Sequence, residues 1–207
     1  MASLRFHVHR FFPIKYGLRV KTAPTAEPLT LTEARAHARF DSFAEDGVIA
    51  GFILAARIHI ESLCGLALCP TTFLMTVDDF PAADYIAIPR EPLQSVVAVI
   101  YANLTGGTTT WSASEWEVDL YSTPPRLRPK DGYDWPDDVK DQLAAVSIEF
   151  VAGYSGPEAI PQPIMQALRM LTGYYIDNRE AAVLTEVPRE MPFAVIPLLT
   201  QYRNPPV

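Results

Sequence analysis

Five aspartates within eleven residues are the main candidates in this chain for metal binding or general acid–base chemistry. They are Asp131, Asp134, Asp137, Asp138 and Asp141. A calcium loop needs a glycine at a fixed position and a terminal bidentate glutamate, and this stretch has neither at the required spacing. We therefore interpret it as a solvated loop in which an aspartate caps a short turn. A metal-assisted hydrolase is kept as the less favoured alternative.

Other residues with reactive or metal-binding side chains do not converge in the sequence. His7 and His9 share one face of a short strand-like segment, but no third ligand is near them. Cys64 and Cys69 match no common zinc spacing and are interpreted as reduced, partly buried thiols of a cytoplasmic product. His59 and Cys64 are about 140° apart around one predicted helix, so they do not face each other as base and nucleophile.

Sequence motifs typical of enzymes are missing. Gly106-Gly107 lacks the Lys and Ser/Thr of a phosphate-binding loop, and neither a nucleophile elbow nor a His-Glu-x-x-His motif occurs. We therefore predict no catalytic residue, no cofactor and no metal site. Trp111, Trp116 and Trp135 could line a sugar-stacking surface, although aromatic residues of a small sheet usually belong to its core. A soluble, aromatic-lined module of a tail, binding a glycan or a receptor, is the second functional alternative.

The composition favours a folded chain with one domain or one elaborated domain. Of its 207 residues 49% are hydrophobic, and none of its apolar runs reaches the roughly 18 uncharged residues of a membrane-spanning helix. Neither a signal peptide nor a membrane partner is predicted, because charged residues interrupt the N-terminal apolar segment. The 19 prolines exceed the usual fraction of about 5%.

The formal net charge of -7 is unevenly distributed. The first 24 residues carry five basic side chains and no acidic one, whereas residues 41–207 carry 10 basic and 22 acidic side chains. A basic arm suits contact with an acidic surface or with nucleic acid, and the acidic remainder argues against a duplex-binding face. The alternative is a chance imbalance on a solvated surface.

Three helices are predicted from caps and apolar periodicity. Thr30 and Glu33 form a capping box that starts the first helix, which should end near Phe40. A second helix is predicted over residues 46–64, with Arg57, Glu61 and Ser62 on its solvent side and Gly65 as its stop. A third opens at Pro161-Gln162-Pro163 and ends near residues 177–180.

Alternating segments between the second and third helices predict about five to seven short strands, with a hairpin turn at Gly106-Gly107. The fold class is therefore α+β: a small bundle of about three helices with a β-rich insertion at about residues 68–153. We divide the chain into a basic, extended N-terminal arm (1–26), a helical core with its insertion (27–182) and a Pro-rich C-terminal tail (183–207). The apolar tail residues need a partner surface, either another subunit or the chain's own helices.

Several segments in order resemble the phage head–tail connector, or adaptor, family. Residues 29–37, reading LTLTEARAH, resemble the family's opening helix, and the helix end at ESLCG (61–65) resembles its second helix and glycine stop. IPREPLQSV (88–96) resembles its strand entry. FVAGY (150–154), IPQPI (160–164) and DNRE (177–180) then follow in the family's order, and residues 192–203 resemble its tail. The similarity covers about residues 17–204.

The resemblance implies a structural protein of a phage or of a phage-like gene transfer particle, located at the head–tail junction. Such adaptors form a ring, twelvefold to match a portal, which extends the DNA channel and carries the next neck or tail protein. The implied partners are the portal protein, neighbouring copies, a stopper or tail-completion protein, and DNA that passes without specific binding. Portal-contacting residues implied for the tail are Phe193, Ile196, Leu198, Leu199, Tyr202 and Arg203. Asp131, Asp134, Asp137 and Asp138 are expected to face the channel, where they would repel phosphate.

Overall fold

The computed structural model describes residues 15–39, 46–178 and 194–203. Within them lie four α-helices and two antiparallel sheets, so the predicted mixture of α and β structure is confirmed. In chain order the elements are β1 (Tyr16–Thr22), α1 (Leu31–Ala38), α2 (Asp46–Cys64), β2 (Thr71–Val77), β3 (Ile86–Ala87), β4 (Leu93–Ala102), β5 (Thr108–Trp111), β6 (Trp116–Asp119), β7 (Arg126–Pro129), β8 (Val146–Ala152), α3 (Gln162–Asp177) and α4 (Val195–Thr200). His7, His9, Phe40 and Phe193 lie outside the described residues.

The start of α1 is fixed by the predicted capping box. The hydroxyl of Thr30 accepts a hydrogen bond from the Glu33 backbone N–H at 3.2 Å. The Glu33 carboxylate accepts the Thr30 backbone N–H at 2.9 Å in return. Each bond satisfies a polar group that the first helical turn would leave without a partner. These bonds from the backbone and side chain of Thr30 hold the pKa of Glu33 below its ordinary value of 4.5.

Replacing Thr30 with alanine should lower the free energy of unfolding by about 1 kcal/mol.

Because folding lowers the pKa of Glu33, its ionised form stabilises the fold above pH 4.5, and this contribution disappears as the pH falls through the lowered pKa. Urea unfolding of the wild type and of Glu33→Gln, which keeps a capping amide, should therefore give stabilities that converge at low pH. A difference that grows on acidification would contradict this role.

One apolar core lies among the four helices. The α2 residues Ile49, Ile53 and Ile60 are buried against α3, in the periodic stripe that the sequence predicts. By length and composition alone α2 is also apolar enough to cross a membrane. The prediction for its opposite side needs one correction. Arg57, expected on the solvent side, is only 6% exposed because two carboxylates enclose its guanidinium.

Five antiparallel strands form the larger sheet, in the order β1-β2-β8-β4-β5. The strand β1 belongs to the segment predicted as an arm, and it pairs with β2 along most of its length. The sheet therefore begins before α1 and is completed by strands that lie between α2 and α3. Gly153, just after β8, has φ of 129°. A Cβ there would lie 2.1 Å from the carbonyl oxygen of Cys69, so only glycine fits.

The second apolar core lies between this sheet and a smaller antiparallel sheet of order β3-β7-β6. Phe73 and Phe150 stack across β2 and β8 with ring centroids 5.5 Å apart. Phe80 packs on Trp111 and Trp135 at the other end of this core. The helical core and the sheet core thus position two different sets of exposed residues, those of α4 and those of the loop before β8.

Candidate interaction surfaces

The short helix α4 carries three of the six residues predicted to contact a portal, Ile196, Leu198 and Leu199. Leu199 is fully buried in the helical core, together with Val195. Ile196, one residue further along the helix from Val195, is 45% exposed. Leu198 and Tyr202 are half-buried and Arg203 is exposed. Leu199 therefore packs on the chain's own helices, which was the alternative considered for the tail. Ile196 remains accessible to a partner.

α4 depends on this burial for its position. A helix of six residues is too short to be stable in water by itself. The hydroxyl of Thr200 donates to the carbonyl of Ile196 at 2.9 Å, which satisfies one carbonyl within the helix. After the helix the chain passes the side chains of Tyr154 and Cys64. Burial raises the pKa of Tyr154, and Tyr202 raises it further.

The two cysteines are free, and both are buried, where the sequence predicts partly buried thiols. Burial raises the pKa of Cys64, which Arg203 partly offsets, and raises the pKa of Cys69 to about 11. A thiol with so high a pKa is almost wholly protonated near neutral pH and is a poor nucleophile. His59 is turned to Tyr175, whose hydroxyl lies 3.3 Å from its Nδ1 atom. No pairing of a cysteine with this histidine is present.

The four aspartates predicted to face a channel lie on the loop between β7 and β8. Asp131, Asp134, Asp137 and Asp138 are all exposed. The loop is nevertheless held to the sheet core at its middle, because Trp135 stacks on Phe80 and donates its indole N–H to the carbonyl of Ala83 at 3.0 Å. The acidic side chains therefore project from an anchored segment.

A second attachment fixes the end of this acidic loop. The Leu104 N–H donates to the carbonyl of Asp138 at 2.9 Å, and the Lys140 N–H donates to Ala102 at 2.9 Å. Asn103 and Val139 form an isolated antiparallel bridge between the same segments. The loop and the β4–β5 hairpin thus form one acidic end of the sheet core. Asp138 also raises the pKa of Tyr101, after the larger effect of burial.

The tryptophans do not form an exposed stacking surface. Trp111 is buried, and Trp116 and Trp135 are half-buried at the edge of the same core. The indole of Trp116 is directed to the carbonyl of Trp111 at 3.4 Å. These rings fill the sheet core, so the three tryptophans do not support the alternative of an aromatic-lined glycan-binding module.

A groove of about 590 Å³ on the smaller sheet is lined by five charged side chains, and all except Asp84 are paired with one another. Arg126 binds Asp119 at 2.8 Å and lies over the ring of Tyr85. The hydrogen bond from Arg126 is the largest cause that lowers the pKa of Asp119 to about 2. Arg128 binds Glu117 through its Nε at 2.7 Å. These pairs leave little free charge for an ionic ligand.

The described residues contain no group of three or more His, Cys, Asp or Glu side chains arranged to hold a metal ion. The metal-assisted hydrolase therefore has no observation in its favour in this part of the chain.

A charged network around Arg57 was missed by the sequence analysis. Its Nε and Nη2 donate to both carboxylate oxygens of Glu27, at 2.7 and 3.2 Å. Its Nη1 donates to Glu61 at 2.8 Å, and the other oxygen of Glu61 accepts the Leu68 N–H. Burial acts to lower the pKa of Arg57, but the bonds and charges of the two glutamates raise it overall. The network joins the segment before α1 to the segment that leads into β2.

The spacing of Arg57 and Glu61 by four residues was the only local signal of this network. Glu27 lies thirty residues before Arg57 in the chain, so no local pattern could indicate that the two meet.

No protein-family model matches the chain, and no curated protein matches it. Among solved structures, a chain from "Neck of empty GTA particle computed with C6 symmetry" is 25% identical and has a TM-score of 0.77, covering 92% of this chain and 97% of that chain. A chain from "Virion of native gene transfer agent (GTA) particle" is 26% identical with a TM-score of 0.75, covering 92% and 96%. A third, from "Neck of native GTA particle computed with C12 symmetry", is 25% identical with a TM-score of 0.72, covering 92% and 97%.

These likenesses extend over nearly the whole of both chains, so they concern the complete fold rather than one motif. The predicted resemblance is confirmed: this chain is similar to a neck protein of a phage-like particle. The predicted location, the neck of such a particle, is confirmed by the same likenesses, because the similar chains come from gene transfer agent particles.

Proposed function

We propose that this chain is a structural head–tail connector that binds the portal of a phage-like particle as a ring of copies. The ring extends the DNA channel and provides the platform for a stopper or tail-completion protein. It has no catalytic role, and DNA passes it without specific binding. The observation that carries this proposal is the similarity over 92% of the chain to proteins in gene transfer agent necks.

The symmetry of those assemblies supports a ring. Two of the similar chains come from necks computed with C6 and with C12 symmetry. Both symmetries are compatible with twelve copies, because a twelvefold ring also has sixfold symmetry. The proposal also includes the arrangement of segments that the sequence predicts: an arm, a helical core with an inserted sheet region, and a tail.

The portal contact is proposed for the exposed part of the tail. Ile196 presents an exposed apolar side chain beside half-buried Leu198 and Tyr202, with the charge of Arg203 at the edge. Phe193, outside the described residues, stays part of this prediction. Leu199 is assigned to the chain's own core, where it holds α4 in position.

The acidic end of the sheet core is proposed to face the DNA channel. Four exposed aspartates on an anchored loop place negative charge at a fixed location. Phosphate groups passing nearby would be repelled, which keeps the DNA mobile in the channel.

Electron microscopy of the chain mixed with the purified portal of its particle tests the proposal. We expect a ring seated on the portal, and we expect Ile196→Asp to weaken the attachment at least tenfold, since a central apolar anchor commonly contributes this much. Leu104→Asp is the matched control, because Leu104 is exposed on the β4–β5 turn, at the acidic end. A chain that forms no ring on the portal, and is absent from the necks of purified particles, would refute the connector function.

A further inference from the structure

The outer side of α2 is an apolar surface with no partner among the described residues. Val48, Leu54 and Ile58 are 48%, 42% and 49% exposed. Together with smaller residues they form one stripe along the helix, because positions three, four, seven and eight apart share a face. The exposed members of this outer α2 face are Gly47, Val48, Ala50, Gly51, Leu54, Ala55, Ile58 and Ser62. None of them is charged.

Two glycines make this face unusual. Gly47 lies in the first turn of α2 and Gly51 in its interior, where glycine is less favourable than alanine. A Cβ at either position would meet nothing within 4 Å. The described part of the chain, residues 15–39, 46–178 and 194–203, therefore gives no reason for glycine at these positions. Close approach of another backbone is a reason, since only glycine presents no side chain to it.

The lower part of the same face forms a shallow groove of about 660 Å³. The residues that line it are Ala55, Ile58, His59, Ser62 and Leu63. The Nδ1 atom of His59 lies 3.3 Å from the hydroxyl of Tyr175. A complementary apolar surface would be needed to exclude water from it.

Charge and symmetry identify the occupant. Copies of a chain with a net charge of -7 repel each other, so they associate most readily through a face without charged groups. The outer α2 face meets this condition over four helical turns. A membrane surface fits poorly, because the face has no flanking row of Lys and Arg to attract anionic lipid. Two of the similar chains come from necks computed with C6 and with C12 symmetry, and a ring of copies about such an axis would place neighbouring copies side by side.

We infer that the outer α2 face contacts a second copy of this chain in the ring. This inference rests on the proposed connector function and adds the surface by which neighbours meet. In a closed ring each interface joins two different surfaces of the chain. The outer α2 face of one copy therefore meets a surface outside α2 on the next copy, and Gly47 and Gly51 allow that surface to approach the helix backbone.

Gly51→Leu tests the role of the glycines. The isolated variant should fold and should melt about 2–4 °C higher than the wild type, since leucine favours the helix and the added side chain points into open space. In cells that produce the particle, the number of variant chains per particle should fall at least tenfold. Gln166→Leu is the matched control, because it introduces the same side chain at an exposed position of α3. It should be incorporated like the wild type.

A photo-crosslinking side chain at Ile58 identifies the neighbour. In assembled particles, p-benzoylphenylalanine at this position should give a product of two copies, with the second copy modified outside α2. A product with another protein only, a product joining α2 to α2, or no product in particles that contain the chain would overturn the inference. Normal incorporation of Gly51→Leu would also overturn it. Absence of the wild-type chain from the particle would instead refute the connector function itself.

Discussion

Replacing Leu199 with alanine is expected to lower the free energy of unfolding by about 3 kcal/mol. Leu199 is fully buried between α4 and the longer helices, so its truncation leaves a cavity in the helical core. The loss would be measured by urea unfolding followed by circular dichroism. The size of the effect is notable because the residue lies in a Pro-rich tail that, from sequence, reads as a docking segment.

Ile196→Ala is the matched control for this experiment. This substitution removes a comparable number of carbon atoms from the same helix, but Ile196 is 45% exposed. Its effect on the free energy of unfolding should stay below about 1 kcal/mol, the usual range for surface positions. Equal effects of the two substitutions would show that α4 does not pack on the helical core. The pair therefore separates the residues that hold the tail from those available to a portal.

Replacing Arg57 with methionine should destabilise the chain by about 3 kcal/mol. The guanidinium is almost fully buried, and its loss leaves the carboxylates of Glu27 and Glu61 without a counter-charge. The helix α2 would also lose the link that Arg57 makes to Glu27 in the segment before α1. Thermal and urea unfolding would measure the change, and Arg128→Met, which breaks an exposed pair on the smaller sheet, should leave stability unchanged within error.

A triple variant identifies the cause of this loss. When Arg57→Met is combined with Glu27→Gln and Glu61→Gln, no charge remains unpaired, and much of the lost stability should return. If the triple variant is as unstable as Arg57→Met alone, then the loss comes from packing of the arginine side chain and not from the unpaired carboxylates.

Local elements were largely predictable from the sequence. The capping box of Thr30 and Glu33, the extent of α2, and the hairpin at Gly106-Gly107 all occur where the patterns predict them. Each depends on residues at most a few positions apart, so caps, turns and apolar periodicity carry enough information. The ordered motifs also indicated the connector family, and the likeness of the whole fold to gene transfer agent neck chains confirms that resemblance.

The side-chain environment was less predictable. Arg57 was expected in solvent, because helical periodicity assigns a charged residue to the wet side, and Glu27 is too distant in sequence to indicate otherwise. Leu199 could not be assigned between a partner and the chain's own core, since apolar spacing is the same in both cases. The tryptophans were similarly ambiguous until their contacts with Phe80 and each other placed them in the sheet core.

Caps, turns and apolar periodicity indicate the approximate bounds of α1, α2 and α3 and the positions of most strands, and the order of these segments indicates the class of protein that they resemble. The tertiary structure alone decided that β1 joins the main sheet, that β8 lies between β2 and β4, and that α4 completes the helical core. It also left the outer α2 face, with its two glycines, without a partner in the part of the chain that the structure describes. The physical reason is that strand order and burial depend on contacts between residues far apart in the chain, which local propensity and periodicity do not encode.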